Sequence, residues 1–216
     1  MPYQMTHLVI ADKIIRQKLF DISNKSQCYL GSIAPDSYYF HETKIDKRIS
    51  HHNSGNVEWA YIADDIQWIN DIVNLYRDNF RKYDYNFLFG YCSHILTDIL
   101  SHRIYWTPFR LKHTDFSKEI FVIRDLAHKA VDKQLYFNYE FSEEIFDSLR
   151  NSECFDFDGK AYKNDLERMK THILDRQFTK ENFIEKENRE IITYEEQMEL
   201  IDDSIKFITK EFIHKI

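Results

Sequence analysis

The sequence predicts an all-α fold, and three observations carry that prediction. Only 4 Gly and 3 Pro occur in 216 residues, too few turn formers for a sandwich or barrel of many short strands. Hydrophobic residues make up 43% of the chain and aromatics 16%, enough for one substantial core. The apolar positions recur at helical rather than alternating spacing. A single domain over residues 1–216 is therefore expected, a helical bundle whose last part, from about 160 to 216, packs on the rest.

The elements follow in order. In MTHLVIADKIIRQKLF, residues Leu8, Ile14, Ile15 and Leu19 sit at near-helical intervals, and Thr6 is placed to cap a helix that begins at His7 or just before it. Residues 24–55 hold Gly31, Pro35, Gly55 and much Ser and Asn, so they read as a long ordered loop with a short helical turn. Helical periodicity returns over 57–83, with Ile62, Ile66, Ile69, Val73 and Tyr76 as the buried stripe. Tyr85 to Trp106 is the most apolar segment and is expected at the centre of the bundle, with Pro108 marking its end. Helices are also expected over Phe116 to Tyr136, over SEEIFDSLRN with Ser142 as its cap, over 161–187, and from about Thr193 to His214. The last stretch is charged and amphipathic, which fits packing and a solvated face.

Composition narrows the function. The net charge is -7 and the pI near 5.8, with Lys and Arg dispersed, so stable binding of a nucleic-acid backbone by bulk charge is not expected. Three cysteines, Cys28, Cys92 and Cys154, are an odd number without CxxC spacing and read as reduced core thiols. The apolar run HLVIA is cut off by Asp12 and Lys13, and no stretch approaches a membrane span. A cytoplasmic address is expected.

The chemistry lies in the first two thirds, which hold eight of the ten histidines. His94, Asp98 and His102 are spaced i, i+4, i+8 in GYCSHILTDILSHRIYW and share one helical face. Asp125, His128 and Asp132 do the same at i, i+3, i+7 in IRDLAHKAVDKQLY. Two such faces packed together would converge five or six nitrogen and oxygen ligands suited to zinc or a related divalent ion. Each polar group on these otherwise apolar helices is costly to bury unless paired or metal-bound.

MTHLVIA, then YLGSIAPDS, then a Ser-His pair, then GYCSHILTD follow one another over roughly residues 1–106, with a weaker match to Asp132. This order resembles the zinc-dependent phospholipase C family, whose fold is related to that of fungal single-strand-specific nucleases. The resemblance implies an all-helical domain holding a cluster of zinc ions. It implies that His7 binds one ion, that Asp36 is a ligand and general base, and that His51, preferred over the adjacent His52, joins them. It also implies that Asp98 bridges two ions beside His94, and that His128 and Asp132 serve the remaining metal. Two features depart from the family pattern. Secreted members use the amino group of a processed N-terminal Trp as a ligand, whereas this chain begins MPYQM; and the His usually found six residues after the helical Asp is Ile104 here. His102 or, less favourably, His113 would substitute, and two or three zinc ions are expected.

Metal-activated water attacking a phosphate ester is the implied reaction, on a small phosphate ester or a phospholipid. Tyr38, Tyr39 and Phe40 beside Asp36, with Trp59 and Trp106, are candidates for lining a pocket for an apolar or cationic head group. A helical module that keeps its metal without catalysis is the reading from another class. A nuclease or nucleotide phosphodiesterase on the same scaffold is a third.

Overall fold

Helix α5 (Tyr85–Ser101) runs through the centre of the computed structural model, which describes residues 2–53, 65–112, 118–179 and 191–213. Every residue of α5 from Asn86 to Ile99 is buried, as befits a helix that is apolar all round. Asp84 starts it by accepting hydrogen bonds from the backbone N–H groups of Asn86 (2.8 Å) and Phe87 (3.2 Å). Helices α1 (Gln4–Arg16), α2 (Lys25–Ile33), α4 (Asp65–Asn79) and α10 (Tyr194–Ile213) pack around it. The short α3 (Lys47–Ser50), α6 (Thr107–Lys112), α7 (Lys118–Asn138), α8 (Ser142–Arg150) and α9 (Lys163–His172) complete the described helices. Among the described residues there is no strand, only an isolated bridge between Phe157 and Ala161. No described helix is long and apolar enough to cross a membrane. The three cysteines are buried and free.

Several expectations from sequence need correcting. The stretch 24–55 is mostly helical: α2, then a 3-10 turn over Ala34–Phe40, then α3. Asn24 caps α2 by accepting from the N–H of Gln27 at 3.2 Å, and Gly31 marks contact rather than a break. A Cβ on Gly31 would stand 2.0 Å from the Phe87 carbonyl oxygen, and one on Gly90 would stand 2.1 Å from that of Cys28. Backbone touches backbone where α2 crosses α5, which only glycine permits.

Helix α1 starts at Gln4, earlier than His7, and Thr6 lies inside it instead of capping it. In α4 the buried stripe is Trp68, Ile69, Ile72 and Val73, whereas Ile66 is exposed; Ile62 falls outside the described residues. Pro108 does not end the helical path. A π turn over His102–Trp106 leads directly into α6, where Pro108 sits in the first turn and its missing N–H costs no helical bond. Ser142 does not cap α8 but donates its hydroxyl to the carbonyls of Tyr136 (2.6 Å) and Tyr139 (2.8 Å). Thr193 and Glu196 form a reciprocal cap at the start of α10, Thr193 N–H to Glu196 Oε2 at 2.8 Å and Glu196 N–H to Thr193 Oγ1 at 3.1 Å. Helix α9 passes into a π turn over Ile173–Gln177; the rest of 161–187, from 180, and His214 at the chain's end lie outside the described residues.

Candidate metal centre

Five side chains from four elements meet beside the middle of α5. His94 and Asp98 stand on successive turns of α5, His7 comes from α1, Asp36 from the 3-10 turn after α2, and His51 from the end of α3. All are buried. Around Asp98, His7 Nε2 lies 3.7 Å from Oδ1, while His51 Nε2 (3.5 Å), His94 Nε2 (3.9 Å) and Lys47 Nζ (3.9 Å) approach Oδ2. His51 Nε2 is also 3.5 Å from Asp36 Oδ1. The rings of His7 and His94 stack at 3.7 Å. Among the described residues, His7, His94 and Asp98 form one group whose ligand atoms all lie within 4.8 Å of one another, and Asp36, His51 and His94 form another.

The neighbours aim these ligands. His94 Nδ1–H donates to the Ser32 carbonyl at 2.8 Å, which leaves the lone pair of Nε2 facing the cluster. His51 Nδ1 is held by the Lys47 carbonyl (3.2 Å) and Ser50 Oγ (2.9 Å), again turning Nε2 inward. The backbone beneath His51 is pinned by Trp68 Nε1, which donates to the His51 carbonyl at 3.0 Å, and by Tyr91 Oη, which donates to the Ser50 carbonyl.

Among the described residues, neither oxygen of Asp98 accepts a hydrogen bond, and neither His94 Nε2 nor Asp36 Oδ1 has a hydrogen-bond partner. Burial alone makes such atoms expensive, so the arrangement fits a bound cation with nitrogen and oxygen donors. The charges agree. Burial, then the field of His94, holds His7 well below its ordinary pKa, and burial with the field of Lys47 pushes His51 down to about 3. Both therefore offer neutral ligand nitrogens. Burial raises Asp98. Burial also acts to raise Asp36, but His51, His94 and Lys47 outweigh it and keep that carboxyl ionised, well below the usual range.

The other candidates are placed elsewhere. Asp132 is buried on α7, where its Oδ2 accepts the Met5 N–H (3.0 Å) and its Oδ1 accepts the Thr6 N–H (2.8 Å) and hydroxyl (2.9 Å). It thereby caps α1 from across the molecule, and burial raises it to about 6 despite those bonds. His128 is buried one turn before it, burial keeps it well below its ordinary pKa, and its Nδ1 has no hydrogen-bond partner among the described residues. His102 is buried in the π turn, edge-on to Trp106 at 6.4 Å, and lowered to about 2 by burial. None of these three joins either compact ligand group. Asp125 binds Tyr3 Oη and, at 2.7 Å, Lys129 Nζ. His52 adopts φ 48° and is absent from both groups.

A cavity of about 680 Å³ opens beside Asp36, lined on its apolar side by Tyr39, Phe40, Trp106 and Phe121. Tyr38 does not line it; its ring packs on Tyr39 at 4.0 Å and edge-on to His51 at 5.9 Å. Trp59 and His113 lie outside the described residues. Sequence reasoning missed Lys47 and the cationic wall of the cavity, Arg124 included. Lys47 precedes His51 by one turn and Arg124 precedes His128 by one turn, so helical spacing from a chosen histidine was the available signal.

A family model described as zinc-dependent phospholipase C matches residues 6–186. No curated protein and no solved structure matches the chain.

Proposed function

Because the chain belongs to the zinc-dependent phospholipase C family, we propose that it hydrolyses phosphodiesters at the cluster of His7, Asp36, His51, His94 and Asp98. The observation that supports this most directly is Asp98: a buried carboxylate without a hydrogen bond among the described residues, faced by three imidazole Nε2 atoms at 3.5–3.9 Å. His7, Asp36, His51, His94 and Asp98 would together hold the zinc ions, with the one free lone pair of His94, on Nε2, serving a single ion. His102 and His128 are the remaining buried imidazoles for a third, Asp132 being engaged by Met5 and Thr6.

Zinc, when bound, supplies Lewis acidity: it lowers the pKa of water and screens the charge on the phosphate oxygens. The chain does the rest. Asp36 stands where cluster meets cavity, and its ionised carboxylate would orient the attacking water and take its proton. His94 and His51, locked through Nδ1, keep the ligand geometry from relaxing as the reaction proceeds. The cavity receives the substituent of a small phosphate ester or phospholipid and keeps bulk water from it.

Metal content tests the reading. Protein purified without chelator should carry two or three zinc per chain, and Asp98→Asn should lower that by more than one. At most one ion, unchanged by the substitution, would favour a non-catalytic metal-holding module.

A further inference from the structure

The cavity is out of keeping with the chain around it. The protein carries a net charge of -7, yet the cavity wall presents Arg124, Lys129, Lys133 and Arg176 against two carboxylates, Asp36 and Asp125. Asp36 belongs to the cluster, and Asp125 is taken by Lys129 and Tyr3 Oη. Arg124 differs from the other cations. Its guanidinium carbon sits 3.9 Å from the centroid of the Trp106 ring, and it forms no salt bridge or hydrogen bond among the described residues. It is half-buried, so water alone serves it poorly.

A guanidinium held over an indole face by cation–π attraction forms no hydrogen bond in that contact, so its N–H donors stay free to take an anion in a fork of two bonds. Arg124 precedes His128 by one turn of α7 and shares its face. It lines the same cavity as Asp36, and about 680 Å³ is far more than a scissile phosphate fills. A phosphodiester held at Asp36 would extend its substituent past Tyr39 and Phe40 towards this cationic wall.

We propose that the cavity selects phosphodiesters whose substituent carries a second anionic group, a phosphomonoester or a carboxylate, and that Arg124 is the residue that reads it. The proposal rests on the cluster being the scissile site. It excludes a quaternary ammonium substituent as the preferred one, because that group would meet like charge in the wall.

Two probes that differ by one phosphate test it: thymidine 5′-monophosphate and thymidine 3′,5′-bisphosphate, titrated calorimetrically into the zinc-loaded protein. The bisphosphate should bind at least about tenfold more tightly. That ratio should fall to near one in Arg124→Met, which keeps an unbranched stem over Trp106, and to an intermediate value in Arg124→Lys. Equal affinities in the wild type, or a preference that survives in Arg124→Met, would overturn the proposal. Turnover of thymidine 5′-(4-nitrophenyl phosphate), with and without a 3′-phosphate, separates the two readings. Hydrolysis of both at equal kcat/KM would sink the anion selection and leave the hydrolase standing. Tighter bisphosphate binding without hydrolysis of either ester would sink the hydrolase and support the anion site.

Discussion

Asp98 and Asp132 are written alike in the sequence, each four residues after a histidine, in HILTD and HKAVD, and both are sealed from water. Their surroundings are opposite. Asp132 is saturated by three donors from the first turn of α1, whereas Asp98 accepts no hydrogen bond among the described residues and faces imidazole nitrogens. One carboxylate is spent on holding a helix, and the other has no such donors around it among the described residues. The HxxxD spacing fixes which face a pair occupies, but what lies opposite that face decides its use.

The sharpest way to break this comparison is to remove the metal. A ligand bound only by the folded state at a hundredfold excess over Kd adds about 2.7 kcal/mol, so chelation should lower the wild-type Tm by roughly 5–10 °C. Asp98→Asn should lose most of that chelator response, and its metal-free form should melt no lower than metal-free wild type, because a buried unpaired carboxylate is gone. Calorimetry with and without chelator reads both; an undiminished response in the variant would put Asp98 in the same class as Asp132.

Next in size is Asp132→Ala, which strands the N–H groups at the start of α1 and should cost about 2–3 kcal/mol in urea unfolding. The loss should be the same with and without zinc. A loss confined to the zinc-loaded protein would make Asp132 a ligand first and a cap second.

A pH dependence follows from the buried histidines. His7, His51, His102 and His128 all sit below the ordinary value of 6.5, so acid protonates them in the unfolded chain before the folded one. Their contribution is complete above that value and is lost as pH falls. Asp98 and Asp132, held above their ordinary 3.8, pull the other way at lower pH, but they are fewer. Metal-free protein should therefore lose roughly 1–2 kcal/mol between pH 7.5 and 6.5, read as a falling Tm.

The smallest effect expected is Thr6→Val. Its hydroxyl bridges Asp132 Oδ1 and Gln197 Nε2, each at 2.9 Å, and its loss should cost about 1 kcal/mol. Combined with Asp132→Ala the costs should add to less than their sum, which a double-mutant cycle measures.

Much of this was legible beforehand. The helical class, the central α5 and the meeting of His94 and Asp98 with His7, Asp36 and His51 all followed from periodicity or from the family's motif order. What escaped shares a cause: long-range contact overrides local preference. Gly31 and its serines read as loop because an isolated chain would use them so, yet the backbone of α5 needs that glycine. Thr6 looked like a cap until Asp132, distant in sequence, took the position. Ile66 kept helical register but faces outward, since register does not say which stripe a neighbour covers. Lys47 and Arg124 each stand one helical turn before a candidate histidine, but that spacing places them on a face without saying what lies opposite it.

The crossing at Gly31 and Gly90 reaches beyond packing. Asp36 follows α2 by one short turn, His94 stands one turn past Gly90, and the Ser32 carbonyl ties the two helices through His94 itself. With no layer of side chains between the backbones, the helices have no compressible cushion that would let them part or slide. The spacing between their side chains is therefore set by the crossing itself, and such a frame would sort cations by radius and coordination habit. Zinc, content with few short bonds to nitrogen and oxygen, fits such a frame. Calcium, which asks for many oxygens at longer range, finds neither the ligands nor the give.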